Sequence, residues 1–508
     1  MIKGEDIRLI KIALKLAPII FRYKRLRRRI LQGKEVNYER ARRDAKKAVK
    51  VFIDLGPTFI KLGQLLSARP DILPQPYLDE FSKLQDEVPP ADFKLVKPII
   101  EEDLGRIDDV FDFFDKKAIA GASLAQVYRA KLKGEDVVVK VNRPNIREIV
   151  ERDLKVIRRA LPILKRFLDP SITFSLESAL DQFSETIFEE MDYLKEAENL
   201  EKIKAFLKDV IIPKVYHEYT TKRVIVMEYI KGVKITDIEG LKALNLNTKE
   251  LAVKVDKLFL KMLLTHEIFH ADPHPGNISV SKDGRIILYD FGMVGRLDEA
   301  TRLKLVRLYV ALTDKNPSQV VNILIELEAL QPNVNRYVIE KGIELAIRNM
   351  YGKKVEEMEI KALMEIANRT IFQFPFKLPK NLVLYMRMST LLEGVCLTLD
   401  PEFKFIKVLQ SLLEEEGLVR EAYIEEIKLT FNRFVKSISD GFEVLPMLKS
   451  FLEISQKPKS KSDSLLIASI ISASSLISSS LLFSQNPPLA QILLFISFLS
   501  FLIGLLKR

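Results

Sequence analysis

The segment FHADPHPGN occupies residues 269–277, and the triplet Asp290-Phe291-Gly292 begins 13 residues after Asn277. Within the segment, His270 stands two residues before Asp272, and Asn277 stands five residues after Asp272. This spacing, completed by the Asp-Phe-Gly triplet, is typical of the catalytic loop and metal-binding triplet of protein kinases. A triplet alone occurs by chance, but the two pieces together predict a kinase-like fold.

Three residues of this cluster carry the predicted chemistry. Asp272 would orient the attacking hydroxyl group or water, or accept its proton. Asn277 would supply an amide oxygen to a metal ion, and Asp290 would coordinate a Mg²⁺ ion that bridges the phosphates of a nucleotide. The sequence therefore predicts ATP and Mg²⁺ as cofactors.

Three of the four histidines lie in or near the same segment, at His266, His270 and His274. A spacing of four residues on a helix can bind zinc, but Pro273 and Pro275 interrupt any helix here. We therefore predict that His270 braces the loop and that these histidines bind no metal.

A kinase-like site also needs a lysine on a strand to hold the nucleotide phosphates. Lys140 lies in VVVKV, residues 137–141, an apolar β-branched run that predicts a buried strand. A buried ammonium group needs an acidic partner, and Glu196 is the candidate. For Lys140 taken alone, a lysine that faces solvent from an edge strand stays open as the alternative.

The end of the next predicted strand, residues 223–229, resembles the kinase hinge, where an adenine base hydrogen-bonds to backbone groups. The residues assigned to this hinge are Met227, Glu228 and Tyr229. A further short strand is predicted over residues 286–289, directly before the Asp-Phe-Gly triplet.

A glycine-rich loop before Lys140 is absent from the sequence. Its place is taken by AGASLAQV, a small-residue stretch that can approach phosphates with less backbone freedom than glycines give. We assign nucleotide binding to its members, Ala120, Gly121, Ala122, Ser123, Leu124, Ala125, Gln126 and Val127. A second difference from typical protein kinases is His274, which stands where a lysine is usual.

With these motifs, the sequence resembles the UbiB (AarF/ADCK) family of atypical kinase-like proteins over roughly residues 45–410. Two stretches match family motifs outside the kinase core: Lys61-Leu62-Gly63-Gln64 matches K-x-G-Q, and Glu190-Met191-Asp192 matches E-x-D. The alanine-rich loop at 120–126 and the stretch from Leu378-Pro379 to Asp400-Pro401, which contains Arg387 and Gly394, also resemble the family. Gly121 and Ala125 depart from its loop, where many members have Ala and Gly, and this leaves the nucleotide preference open.

The resemblance implies a lid that composition does not reveal. In the family, the extension that carries K-x-G-Q folds over the place where a kinase admits a peptide. Lys61 and Gln64 would then lie against the acids Glu190 and Asp192, and Glu196 would be the lysine partner. The resemblance also implies a link to isoprenoid quinone or lipid metabolism, with a quinone precursor or lipid as a partner.

The charge of the chain is concentrated at one end. The 508 residues have a formal net charge of +11, and residues 1–50 alone, with 17 Lys/Arg and 5 Asp/Glu, have +12. A protein that coats nucleic acid would carry its charge along the chain, so we expect no nucleic-acid partner. The arm is predicted to form helix in two pieces and to be attracted to anionic membrane lipid. Packing of its Ile and Leu side chains on the body is the alternative.

The other end is uncharged. Residues 465–483 and 489–506 carry no charge, and SQNPP separates them. Each run is long enough to cross a ~30 Å hydrocarbon core as a helix, so an antiparallel transmembrane hairpin is predicted. Lysines before it and Lys507-Arg508 after it favour a cytoplasmic location for both ends. Two buried helices of a soluble domain are the alternative.

These observations predict an α+β, bilobal protein-kinase-like fold with a helical N-terminal extension, a helical C-lobe and a C-terminal transmembrane helical hairpin. The predicted domains are a basic amphipathic arm at 1–50, the extension with K-x-G-Q at 51–110, an N-lobe at 111–232, a C-lobe at 233–454, a linker at 455–464 and the hairpin at 465–508.

The predicted function is a membrane-anchored kinase-like protein that binds Mg-ATP. It would hydrolyse ATP or transfer phosphate to a small or lipid-like acceptor from the cytoplasmic side of the cell membrane. The alternatives are a Ser/Thr protein kinase and a nucleotide-gated scaffold without turnover. A homodimer or a membrane-protein complex is a further expectation about partners.

Overall fold

The computed structural model of the protein describes most of the chain up to residue 432 and scattered positions beyond it. The described residues are 4–432 except 33, 35, 70–71, 85–87, 167, 169, 332–334 and 352–378, then 435, 472, 475–476, 491, 493–495 and 497–498. They belong to two compact units, Met1–Glu425 and Glu426–Arg508.

An antiparallel sheet forms the first lobe of the larger unit. Its strands are β1 (Phe113–Phe114), β2 (Ala120–Gly121), β3 (Ala125–Leu132), β4 (Glu135–Asn142) and β6 (Val224–Glu228), in the order β1-β3-β4-β6 with β2 beside β3. The turn between β3 and β4 uses Lys133 and Gly134, whose φ values of 51° and 79° suit a two-residue hairpin. Strands were predicted at 137–141 and 223–229, and both predictions are confirmed.

A helical lobe follows, with two small sheets near its start. Its strands are β5 (Val210–Ile211), β7 (Val233–Lys234), β8 (Ile268–His270), β9 (Ile278–Val280), β10 (Ile286–Leu288) and β11 (Val294–Arg296), which form the sheets β5-β10-β9-β7 and β11-β8. Its helices are α9 (Tyr193–Phe206), α10 (Ile238–Ala243), α11 (Thr248–Thr265), α12 (Glu299–Thr313), α13 (Pro317–Glu326), α14 (Arg336–Met350), α15 (Lys380–Leu399), α16 (Phe405–Glu415) and α17 (418–432), whose residues from 426 on belong to the smaller unit. Helices α9, α11, α12, α15 and α16 share one hydrophobic core.

The N-terminal segments form a helical layer of their own. The helices are α1 (Gly4–Leu31), α2 (Tyr38–Leu55), α3 (Pro57–Leu66), α4 (Gln75–Phe81), α5 (Phe93–Leu104) and α6 (Ile107–Val110), followed after β4 by α7 (Ile146–Lys165) and α8 (Pro170–Glu190). Side chains of α1–α4, α7 and α8 share a second core. One face of the predicted arm is therefore packed on the body, in a layer with α3, α4, α7 and α8, whereas α5 and α6 of the predicted extension pack on the first sheet.

Helix α15 is a core helix despite its composition. Among the described residues, its segment Leu382–Leu399 is the one stretch of helix long and apolar enough to span a membrane. Leu392, Val395 and Cys396 are buried in the main core, and the thiol of Cys396 lies 3.6 Å from the Ala252 carbonyl oxygen of α11. A core helix can be as long and as apolar as a membrane span because its buried face is apolar.

The predicted hairpin falls mostly outside the described residues, as does all of the linker at 455–464. In the smaller unit, Ser472 and Ser497 belong to helical segments and contact each other, since the Ser497 hydroxyl donates to the Ser472 carbonyl oxygen at 2.8 Å. Ser475 and Ser497 are buried, whereas Leu494 and Phe495 are exposed. The described positions thus place serine inside and large apolar side chains outside.

A carboxyl group is buried in the middle of the helical lobe. Asp256 of α11 is 1% exposed, and its Oδ2 atom has no hydrogen-bond partner among the described residues. Burial raises the pKa of Asp256 to about 8. The group is therefore protonated in the folded protein up to about pH 8, whereas in the unfolded chain it ionises near pH 4.

We predict that Asp256→Asn makes the protein more stable at pH 8 than the wild type. Because the folded pKa is raised, the folded state loses stability as the pH rises from about 4 to about 8, and asparagine does not ionise. The difference in melting temperature should be small near pH 4 and widen with pH. Parallel melting curves of the full chain at several pH values measure it, and a difference that stays constant with pH would contradict this prediction.

Candidate functional site

A buried lysine joins the two lobes of the larger unit. Lys140 of β4 lies 2.9 Å from both carboxylate oxygens of Glu196 on α9, and 2.8 Å from Oδ2 of Asp290. The Glu196 side chain is 2% exposed and the Lys140 side chain 13%. The inward-facing lysine, rather than the solvent-facing alternative, is thus observed, with the acidic partner expected for it.

The charges of this trio depend on one another. Burial alone would lower the pKa of Lys140, but the carboxylates of Asp290 and Glu196 raise it well above the ordinary value. Burial would raise the pKa of Asp290, and the Lys140 ammonium group overcomes this and lowers it. Burial raises the pKa of Glu196 to about 7 although Lys140 opposes the shift. Lys140 and Asp290 are therefore charged in the folded protein.

The catalytic-loop residues lie between β8 and β9. The guanidinium group of Arg387 on α15 donates to Oδ1 of Asp272 at 2.8 Å. The amide nitrogen of Asn277 donates to the Asp272 backbone carbonyl at 3.1 Å and to its Oδ2 atom at 3.3 Å. Both oxygens of the predicted catalytic carboxylate are thus held in place, one by a cation and one by the predicted metal ligand.

His270 braces the loop, as predicted. Its side chain is fully buried, its Nε2 atom lies 2.5 Å from the Asp290 carbonyl oxygen, and its Nδ1 atom accepts from the Asp272 N–H at 3.2 Å. Because a carbonyl can only accept, the proton is on Nε2. Burial lowers the pKa of His270, in agreement with a neutral ring. His274 accepts from the Gly276 N–H at 3.1 Å and also acts as a local brace.

Asp272, Asn277 and Asp290 line one cavity of about 120 Å³, together with Ala122 of the alanine-rich loop. Its oxygen-rich lining suits Mg²⁺, which binds through one or two carboxylates, water and substrate phosphates. Asn277 uses its amide nitrogen within the loop. One oxygen of Asp290 accepts from the Gly292 N–H at 2.9 Å and the other faces Lys140.

The alanine-rich loop is held by its neighbours rather than by glycines. Arg143 donates to the Ala122 carbonyl at 2.7 Å and to the Val88 carbonyl at 2.9 Å. Gln126 turns away from the cavity, where its Oε1 atom accepts from the Ala91 N–H at 2.9 Å. Of the eight residues assigned to nucleotide binding here, Ala122 is the one that lines the 120 Å³ cavity.

The predicted hinge uses its backbone donors internally. The N–H of Glu228 donates to the Lys214 carbonyl at 2.9 Å, and the N–H of Tyr229 donates to the Asp136 carbonyl at 3.0 Å. Met227 pairs with Val138 of β4. A base therefore cannot use those two donors in this conformation, because each already has an acceptor.

Of the four residues predicted to form the lid, Lys61 and Glu190 contact each other. Lys61 of α3 forms an ion pair with Glu190, and the Lys61 side chain is 6% exposed. Gln64 donates to the Leu84 carbonyl at 3.1 Å. Asp192 differs from the expectation, because its carboxylate accepts from the Leu194 N–H at 3.2 Å and caps α9. The pair that places α3 against this site is thus Lys61 with Glu190.

A second cavity, of about 410 Å³, adjoins the first. Lys61, Gln64, Glu190 and Arg387 line both cavities. Further walls of the larger one are apolar side chains of α3, α8 and α15, such as Leu65, Ile187 and Leu384. The site therefore has a small polar chamber at Asp272 and a larger chamber of mixed polarity beside it.

Sequence reasoning missed two of the cations that organise the site. Arg387 was noted only within a motif, and nothing in its spacing connects it with Asp272, 115 residues earlier. Arg143 was not identified, because only the folded loop brings carbonyl groups to its side chain. Within the described part of the chain, no group of three or more His, Cys, Asp or Glu residues forms a conventional metal cluster.

The chain matches a family model described as the ABC1 atypical kinase-like domain over residues 83–324. An uncharacterized protein of Synechocystis sp. is 36% identical over 378 residues, which are 73% of this chain and 65% of that protein. A second uncharacterized Synechocystis protein is 35% identical over 393 residues, which are 76% of this chain and 69% of that protein.

A plant relative is also similar. The Arabidopsis thaliana protein named ACTIVITY OF BC1 COMPLEX KINASE 7, chloroplastic, is 36% identical over 372 residues, which are 72% of this chain and 53% of that protein. The matched segment therefore spans about two thirds of the two bacterial relatives and about half of the plant one.

We predict that Gly121→Ala destabilises the protein, although alanine at this position would agree better with the UbiB loop pattern. A Cβ atom at Gly121 would clash with the Val88 carbonyl oxygen. The Val88 N–H also donates to the Gly121 carbonyl at 3.0 Å, so the two backbones lie close together. Overpacking of this kind costs about 1–3 kcal/mol. Urea unfolding measures the loss.

Gly394→Ala is the matched control. A Cβ atom there meets nothing within 4 Å, and alanine is favoured over glycine in a helix. Equal stability of the two variants would argue against the constraint at Val88.

Proposed function

The chain belongs to the ABC1 atypical kinase-like family, also called the UbiB family, and on this premise we propose that it binds Mg-ATP. We propose further that it hydrolyses ATP or transfers its phosphate to a small or lipid-like acceptor. The observation that carries this proposal is the convergence of Asp272, Asn277 and Asp290 on one 120 Å³ cavity beside the Lys140–Glu196 pair.

Each residue has a part that suits its surroundings. Lys140 is charged and anchored by Glu196, so its ammonium group can hold nucleotide phosphates. Asn277 and Asp290 would hold Mg²⁺, which neutralises the charge of the phosphates when bound. Asp272 would orient the acceptor hydroxyl group or water, since Arg387 and Asn277 fix its carboxylate.

The acceptor is inferred from the surroundings of α3 and from the lining of the larger cavity. We propose that α3, which contacts the site through the Lys61–Glu190 pair, covers the side that the family resemblance assigns to peptide entry. The 410 Å³ cavity beside Asp272 has apolar and charged walls, which suit a small amphipathic molecule better than an extended peptide. A role in isoprenoid quinone or lipid metabolism rests on the UbiB resemblance.

Membrane anchoring through residues 465–508 is the second part of the proposal. The support is the inverted polarity of the described positions there, with Ser475 and Ser497 buried and Leu494, Phe495 and Phe498 exposed. Small hydroxylated residues at a helix contact with apolar side chains outside are typical of membrane helices. The catalytic body would then lie on the cytoplasmic side of the cell membrane, with the basic arm towards anionic lipid.

We predict that Asp290→Asn weakens Mg-ATP binding by at least about tenfold, or about 1.4 kcal/mol. The substitution removes the carboxylate that would hold the metal ion and that now faces Lys140. Calorimetric titration of the full chain with a non-hydrolysable ATP analogue, with and without Mg²⁺, measures it. Asp283→Asn, an exposed position in the turn before β10, is the control. Undiminished binding in Asp290→Asn would refute the metal assignment.

We predict that Asp272→Asn retains nucleotide binding but lowers turnover by about 100-fold or more, as expected for loss of a general base or orienting group. Arg387→Met should also retain nucleotide binding and lower turnover, but by less, because the substitution removes the donor to one oxygen of Asp272. Arg387→Lys should recover part of the lost turnover. Binding constants and phosphate release, measured separately, distinguish the two effects.

Acceptor classes separate the proposal from its rivals. Phosphate release should rise when vesicles or a quinone-precursor mimic are added to the full chain. Transfer to peptides with Lys61 intact would favour a Ser/Thr protein kinase instead. Phosphate release that equals that of Asp290→Asn under every condition would favour a nucleotide-gated scaffold without turnover.

We predict that deletion of residues 464–508 moves much of the protein from the membrane to the soluble fraction. The two uncharged runs would contribute most of the apolar area that enters the bilayer. Fractionation followed by a high-salt wash measures it, because salt weakens the contact of the arm but leaves an inserted hairpin in place. Complete retention of the truncated protein on membranes would contradict the role of the hairpin.

A further inference from the structure

A cavity of about 340 Å³ lies between α1 and α2, apart from the two cavities of the catalytic site. Four arginines line it: Arg22, Arg25 and Arg29 from α1, and Arg40 from the first turn of α2. The α1 residues are spaced three, four and seven apart, so their side chains share one face of the helix.

The cavity is strongly cationic. Among the residues that the structure describes, the one acidic side chain that lines it is Asp44, which lies 3.2 Å from Arg22, and the described lining has a formal net charge of +3. Arg25 and Arg40 have no acidic partner among the residues that the structure describes. Like charges held this close on a helix are unfavourable. An anion in the cavity would relieve this repulsion.

An apolar stripe on α1 leads to the same cavity. Ile7, Ile10, Leu14 and Phe21 are between 52% and 72% exposed and lie on one side of the helix. The opposite side, which includes Ile12, is buried in the N-terminal core. Phe21 belongs both to the stripe and to the cavity lining. From Ile7 to Phe21 the stripe is about 21 Å long.

We propose that this cavity binds the phosphate of an anionic phospholipid, with the stripe of α1 lying in the bilayer interface. The proposal rests on the membrane part of the proposed function and names the lipid contact within it. Guanidinium groups bind phosphate oxygens in pairs, which favours arginine over lysine at such a site. A free phosphate would use the arginines alone, whereas a lipid also uses Phe21 and the stripe, so the lipid is the occupant that the whole surface fits.

The test follows α1 by itself, so that an inserted C-terminal hairpin does not mask the result. A cysteine replaces Leu14 in the full chain and receives an environment-sensitive fluorophore, which is selective because the native Cys396 is buried. The protein is reconstituted in vesicles of phosphatidylcholine, with and without phosphatidylglycerol. We expect the label to become shielded from aqueous iodide only when phosphatidylglycerol is present.

Two pairs of substitutions separate a site from general attraction. Arg25→Gln with Arg29→Gln removes two charges from the cavity, and Lys24→Gln with Arg28→Gln removes two exposed charges of α1 that do not line it. Both pairs lose general attraction to anionic lipid. The association of α1 with phosphatidylglycerol, measured by the iodide shielding of the label at position 14, should fall at least about tenfold more in the cavity pair than in the control pair. Arg25→Lys with Arg29→Lys should give an intermediate loss.

Three outcomes would overturn the proposal. Equal loss in the two glutamine pairs would mean diffuse attraction without a site. Equal shielding in pure phosphatidylcholine would mean adsorption of the stripe without a head group. Displacement of α1 by inorganic phosphate at constant ionic strength would mean a free-phosphate site. Mg-ATP binding by the same variants should equal that of the wild type, so a failure of nucleotide binding and a failure of the lipid site are distinguishable.

Discussion

The buried ammonium group of Lys140 is the constraint on which the site depends. A charge at this depth is tolerated only beside carboxylates, and Glu196 and Asp290 supply them from α9 and from the Asp-Phe-Gly triplet. Since the lysine belongs to the sheet lobe and both acids belong to the helical lobe, the trio also fixes how the two lobes meet. Loss of one partner would leave a buried charge poorly compensated. The free-energy cost of that state stabilises the observed geometry.

A second set of cations holds the loops around this trio. Arg387 of α15 neutralises Asp272, Arg143 binds the carbonyl groups of the alanine-rich loop, and Lys61 of α3 pairs with Glu190. Each reaches across from a different helix or loop. These long-range contacts hold Asp272, the alanine-rich loop and α3 around the Lys140 trio.

The N-terminal layer has one face towards the candidate site and another face that is exposed. Its inner face packs α3 against α8 and so carries Lys61 to the site. Its outer face carries the apolar stripe of α1 and the cavity of four arginines, which we propose for lipid.

The sequence by itself determined the local pieces of this protein. The strand around Lys140, the Asp272 to Asn277 spacing and the triplet at Asp290 were identifiable because β-branched runs and motif spacing are local properties. Only the tertiary structure decided which charges meet, since the partner of Asp272 lies 115 residues away and no period in the chain encodes that contact. It also decided that Asp192 caps a helix, that Gly121 is needed beside Val88, and that one face of the basic arm is buried. These outcomes depend on packing between elements, and side-chain periodicity predicts an apolar face but not the element that covers it.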